Sequence, residues 1–197
     1  MSQACKNCRK AGTKLFVKGE RCMSPKCALT RRTTVKTGRS SRIKKSEYGL
    51  QLAEKQKAKA EYGIRERQFR LYFQKAARAK EATGEALLQN LEERLDSVVY
   101  RAGWAQSRAQ ARQIVNHGHV KVNGQVVDIP SYQVKIKDII ETNNKELVMR
   151  TSVEKAEVAS WIKVNQKELK AEIMAVPTRE EIETPVDEQL IVEFYSR

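Results

Sequence analysis

Positive charge is concentrated at one end of this chain, and that limits its folding more than any other feature. Residues 1–80 hold 23 Lys and Arg against 5 Asp and Glu, a net of +18, whereas residues 81–197 hold 15 against 19. Self-repulsion on that scale disfavours a compact state unless something neutralises it. A polyanionic partner is therefore expected, the alternative being a heavily solvated face with no partner. Nucleic acid is favoured over an anionic membrane, because no amphipathic helix with a Trp, Phe and Leu face accompanies the cations. The longest apolar run is four residues, Ile173 to Val176, against the roughly 20 of a membrane helix. No apolar leader follows Met1, so neither secretion nor membrane insertion is expected. A length of 197 residues suits one large domain or two small ones.

All four cysteines fall within the first 27 residues. Cys5-x2-Cys8 and Cys22-x4-Cys27 are two pairs with metal-ligand spacing, and the loop between them can fold back to complete a tetrahedron. Zinc suits four thiolates in a closed structural site, and an iron–sulfur cluster takes the same ligands. Two disulfides or four free thiols are the alternatives, disulfides being disfavoured without a secretory signal. About 25 residues cannot bury a self-sufficient core, and metal binding of roughly 10–16 kcal/mol can replace one. Lys6, Arg9, Lys10, Lys14, Lys18, Arg21 and Lys26 surround the ligands. They suggest a phosphate-binding knuckle and also favour deprotonated thiols.

Residues 28–47 read as an extended basic arm, with Arg31, Arg32, Lys36, Arg39, Arg42, Lys44 and Lys45 among Ser, Thr and Gly. It buries too little to order alone and is expected to order on its partner. From Glu47 to about Ala82 the composition turns helical, with Gly49 and Gly63 as expected breaks. Phe69, Tyr72 and Phe73 recur near helical spacing and are expected in a core. Lys57, Arg65, Arg67 and Arg70 are left for solvent or RNA.

A second helical stretch follows Thr83-Gly84, where Leu87, Leu91, Leu95, Val98, Val99 and Ala102 make one apolar stripe that Gly103 ends. Arg94 and Arg101 lie seven apart and are expected on a common outer face. Ser107 is an expected N-cap for a short helix on which Arg108 and Arg112 share a face. Asn123-Gly124, between His119–Val122 and Gln125–Val127, signals a tight hairpin. Tyr132–Lys137 alternates as an expected third strand. Arg94, Arg101, Arg108, Arg112 and Lys121 would then line the outside of a compact basic module.

The motifs Gly103-Trp104-Ala105-Gln106-Ser107-Arg108-x-x-Ala111-Arg112-Gln113, His117-Gly118-His119-Val120-x-Val122-Asn123-Gly124 and Ile129-Pro130-Ser131-Tyr132-x-Val134 resemble the S-four RNA-binding fold. The knuckle with Lys18-Gly19-Glu20-Arg21-Cys22, the stretch Ser46-x-Tyr48-Gly49-Leu50-Gln51-Leu52 and the run Ile191–Arg197 extend the likeness. Essentially the whole chain resembles the bacterial ribosomal protein S-four family, in its cysteine- and zinc-containing form. The resemblance implies a cytoplasmic constituent of the small ribosomal subunit that binds its ribosomal RNA at a junction in the 5′ domain and nucleates assembly. It also implies contact with ribosomal protein S five at an interface linked to decoding accuracy, contact with incoming mRNA, and possible translational autoregulation.

The architecture so implied is α+β: a metal-bound knuckle and basic arm (1–45), an all-helical domain (46–90, completed by 171–197), and an inserted S-four RNA-binding module of short helices plus a small antiparallel sheet (91–170). The net −5 of residues 171–197 would neutralise part of the basic helices. Thr33 to Ser41 lacks the family's Pro-rich turn, and Lys137 stands where the family carries Gly.

No phosphate-loop, dinucleotide or zinc-protease motif is present. His117 and His119, the only histidines, are expected as RNA contacts or turn residues, with Asn123 beside them, and Glu92-Glu93 as solvated helix charges. An RNA-modifying enzyme would need a further catalytic domain, and a zinc-dependent DNA regulator would need a recognition helix. A non-enzymatic role is expected. Reversing Arg108 and Arg112 to Glu should weaken RNA binding with little loss of stability.

Overall fold

The computed structural model describes residues 3–30, 46–142 and 158–196. The chain divides into one unit of Met1–Gly84 with Thr184–Arg197, and a second of Glu85–Glu183. Both boundaries differ from the expected 90 and 170. Lys170–Ile173 is a strand of the second unit's sheet, so the chain leaves that unit only afterwards.

The first unit contains α1 (Gln3–Ala11), α2 (Glu20–Met23), α3 (Glu47–Glu61), α4 (Glu66–Ala76) and α8 (Glu188–Tyr195). α3 starts where the Ser46 side chain accepts a hydrogen bond from Gly49 N at 3.2 Å. Gly49 therefore sits inside the first turn and is not the break that was expected. Gly63 is the break, its φ of 63° turning the chain after Tyr62 in a conformation that glycine adopts at little cost. α4 buries Phe69, Tyr72 and Ala76, which the three- and four-residue spacing puts on one face. α8 opens with Asp187 accepting from Gln189 N. The Tyr195 ring then stacks on Phe73 at 4.4 Å between centroids, and Phe194 lies 4.1 Å from Lys55 Nζ. Glu193 accepts from Gln51, Thr184 donates to Glu61, and Tyr195 donates to Glu66. The returning segment is thus held by rings and by neutral hydrogen-bond donors.

In the second unit α5 (Thr83–Glu92), whose first residues precede the division, is followed by α6 (Leu95–Arg101) and α7 (Arg108–Asn116). Strands β1 (Val120–Val122), β2 (Gln125–Val126), β3 (Ile139–Thr142), β4 (Ile162–Asn165) and β5 (Lys170–Ile173) form an antiparallel sheet of order β2-β1-β3-β5-β4. Leu95, Val98, Val99, Trp104, Val115, Ile140 and Trp161 are buried together between helices and sheet. The expected apolar stripe is buried, but extended Arg94 interrupts its helix. Ala102 caps α6 and Gly103, at φ 77°, turns the chain out, as expected. Ser107 caps α7 by accepting from Gln110 N.

Asn123 and Gly124, at φ 50° and 84°, close the hairpin in register Val122↔Gln125, and positive φ at both central residues is what such a tight turn requires. The third strand is not Tyr132–Lys137 but Ile139–Thr142. The earlier segment sends its backbone bonds to the α5–α6 junction instead. Leu95 N donates to Tyr132 O at 2.9 Å and Val134 N to Glu93 O at 3.0 Å.

Candidate nucleic-acid interface and thiol knuckle

Within the knuckle Lys10, Arg21 and Lys26 are exposed, while Arg9, Lys14 and Lys18 are half-buried. Arg9 Nε donates to Cys5 O at 3.4 Å. Cys5, Cys8, Cys22 and Cys27 are all free thiols, the last two buried. Burial pushes the Cys22 thiol up, and Cys27, Cys8 and Cys5 add like-charge repulsion. Cys27 is lowered by hydrogen bonds from the Thr30 and Leu29 backbone, with Lys14 helping electrostatically. Four thiols are a donor set whose chemistry suits zinc. Among the described residues, however, no three His, Cys, Asp or Glu side chains come close enough to hold a metal ion.

The arm residues Arg31, Arg32, Arg39, Arg42, Lys44 and Lys45 lie outside the described residues. On α4 and just before it, Arg65, Arg67 and Arg70 are exposed, as is Arg78 in the turn that follows the helix. Lys57 is not on that surface: it is buried and paired with Glu54 at 3.0 Å. The Glu66 carboxylate takes Lys55 at 2.8 Å, Lys59 at 2.6 Å and the Tyr195 hydroxyl at 3.0 Å. Burial opposes its ionisation, but these donors outweigh burial and hold the carboxyl at about 2. Burial, and then the bond to Glu66, push the Tyr195 phenol well above its ordinary range.

In the second unit three arginines expected on the outside are otherwise engaged. Arg94 is closed off, its guanidinium forking onto Asp96 at 3.0 and 2.7 Å, with side chains 1% and 5% exposed. Arg101 forks onto Glu92 at 3.0 Å through both Nε and Nη2, and Arg108 Nη2 meets the same carboxylate at 2.9 Å. Glu92, expected in solvent, is fully buried. A signal for this was in the sequence: Glu92 lies four residues after Leu88, itself buried, on the same face of α5. Reversing Arg108 would set two carboxylates against each other, so the expected mildness of the Arg108/Arg112 reversal does not hold for Arg108.

Arg112 and Lys121 are half-buried, Lys121 lying opposite Glu141 and Val126. His117 follows α7 as its C-cap, its ring 6.0 Å from His119 and edge-on to it. Asn123 ties the hairpin to the next turn, donating to Asp138 and accepting from Ile139 N, both at 2.9 Å. In that turn Lys137 has φ 72°, a conformation that glycine adopts at lower cost.

Residues 93–140, which hold α6, α7 and the hairpin, match the family model described as "S4 domain". Residues 1–92 match the model described as "Ribosomal protein S4/S9 N-terminal domain". The chain is 52% identical to "Small ribosomal subunit protein uS4" of Dictyoglomus turgidum, over 98% of this chain and 96% of that protein. It is 50% identical to the protein of the same description from Thermodesulfovibrio yellowstonii, again over 98% and 96%. This chain belongs to the ribosomal protein S4 family. No helix among the described residues is long and apolar enough to cross a membrane.

Proposed function

We propose that the protein is a structural, non-enzymatic constituent of the small ribosomal subunit, in the cytoplasm of a bacterial-type cell, and binds the subunit's ribosomal RNA. The observation that carries this is likeness over nearly the full length to proteins named for that subunit. The +18 of residues 1–80 and the exposed arginines of α4 supply the electrostatics such binding needs. Binding to a structured RNA junction and to duplex DNA, compared over a salt series, tests it. Affinity falls steeply with salt for both, with a strong preference for the folded RNA. Equal affinity for the two would overturn the reading.

The finer parts of the proposal rest on family resemblance: a 5′-domain junction as the RNA site, early assembly, protein S five and mRNA as neighbours, and autoregulation. In the knuckle, Cys5, Cys8, Cys22 and Cys27 would hold zinc, which would supply the folding energy that the short segment lacks; an iron–sulfur cluster is the alternative. Metal analysis of the native protein, with Cys22→Ser/Cys27→Ser alongside, decides this. One zinc per chain, lost in the variant while the second unit stays folded, is the expected result.

A further inference from the structure

We infer that Asn123 is a latent deamidation site, silent while the β1–β2 hairpin is docked on the turn before β3 and irreversible once that hairpin has opened. Asn123-Gly124 is the chain's only Asn-Gly pair, every other asparagine being followed by a bulkier residue. Both residues are exposed, and nothing lies within 4 Å of where a Gly124 side chain would begin. No neighbouring side chain therefore crowds Gly124, and its nitrogen can attack Cγ of Asn123. The N–Cγ bond forms, the Cγ–Nδ2 bond breaks, and ammonia leaves with the Gly124 amide proton. Water then opens the cyclic imide at either carbonyl, giving aspartate or isoaspartate. No oxidant or reductant is required.

What withholds the reaction is the way the Asn123 amide is held. Its Nδ2 donates to Asp138 Oδ1 and its Oδ1 accepts from Ile139 N, both at 2.9 Å. Asp138 is itself fixed, its Oδ2 accepting from Lys135 N at 2.7 Å, and Asn123 N donates to Ile139 O at 2.8 Å. Both atoms on Cγ are thus bound to a segment 15 and 16 residues away. Cγ cannot turn onto its own chain until those bonds part. The same bonds reject the product. A carboxylate at position 123 has no proton to give Asp138 and sets two like charges against each other. Isoaspartate also lengthens the backbone, which a two-residue turn in register Val122↔Gln125 cannot take without slipping. Opening thus becomes permanent, and a modified hairpin marks a chain that has opened there.

The inference does not depend on RNA binding, and peptide mass spectrometry of position 123 in the full chain, held at neutral pH, tests it. Deamidation is fast in the urea-unfolded chain and slower by about tenfold or more in the native one, where only the open fraction reacts. Asp138→Ala, checked for folding by tryptophan fluorescence, raises the native rate about tenfold, the rise in open population when a hydrogen bond to a charged group is lost. Hydrogen exchange at the Asn123 and Ile139 amides reads the misfit of the product separately. Asn123→Asp speeds that exchange, and Asn123→Asp/Asp138→Asn restores it, because the bond between the two side chains is kept with donor and acceptor exchanged. Equal deamidation rates in native and unfolded chains, or an Asp138→Ala chain that reacts no faster than the native one, would overturn the protection. Exchange unchanged in Asn123→Asp, or not restored in the double variant, would overturn the irreversibility.

Discussion

Among the described residues, each unit has a carboxylate that collects two cations, in contrasting ways. Glu66 of the first unit is 47% exposed at its side chain and collects two lysines and a tyrosine. Glu92 of the second is buried and collects two arginines. Ammonium groups are compact and strongly hydrated, so they serve a carboxylate that water also reaches. Guanidinium groups form flat, directed forks and shed water more easily, so they can satisfy a carboxylate that water cannot reach. The exposed group is adjustable and screened by salt. The buried one is costly to break, because each remaining charge would be left without compensation.

The largest expected effect is on the buried group. Glu92→Ala should destabilise the second unit by about 3–5 kcal/mol. The chain's two tryptophans, Trp104 and Trp161, are both buried in that unit, so their fluorescence during urea unfolding reports the change. A loss below about 1 kcal/mol would remove the contrast between the two groups. Acid should act on the other one. The Glu66 carboxyl is held below its ordinary 4.5, at about 2. Its stabilisation is therefore whole above pH 4.5 and disappears as the pH falls toward 2, by about 1–2 kcal/mol once solvent screening is allowed for. Helical circular dichroism of wild type and Glu66→Gln should differ above this window and converge within it.

Two smaller changes sharpen the comparison inside the second unit. Ser107→Ala removes the cap at the start of α7, where Arg108 sits, and should cost about 1 kcal/mol in the same fluorescence assay. Lys137→Gly relieves a left-handed backbone at φ 72° and should raise stability by about 0.5–1 kcal/mol, seen as a higher melting temperature. A destabilised Lys137→Gly would mean that the lysine side chain contributes more than its backbone costs.

What the sequence disclosed was mainly local. Ser107, Gly103 and Asn123-Gly124 act on their immediate neighbours, and each did as its chemistry required. Apolar spacing also identified the buried helix face. It missed what that face demands of a charged residue: Arg101 and Arg108 meet Glu92 from 9 and 16 residues away, a pairing that periodicity along one helix does not encode. Alternation at Tyr132–Lys137 was misleading for a related reason. It describes side chains, whereas Tyr132 O and Val134 N are claimed by Leu95 N and Glu93 O. In the knuckle, spacing identified four thiols, but among the described residues they are not gathered as a metal site.

The return of α8 to the first unit sets a schedule for synthesis. Lys55, Phe69 and Phe73, against which Phe194 and Tyr195 pack, are made before the second unit, and their cover is made after it. With about a hundred residues between, and translation at about 5–20 residues per second, that surface stays open for roughly 5–20 s in each new chain. Unit two can fold within that interval, while unit one must wait for its last helix.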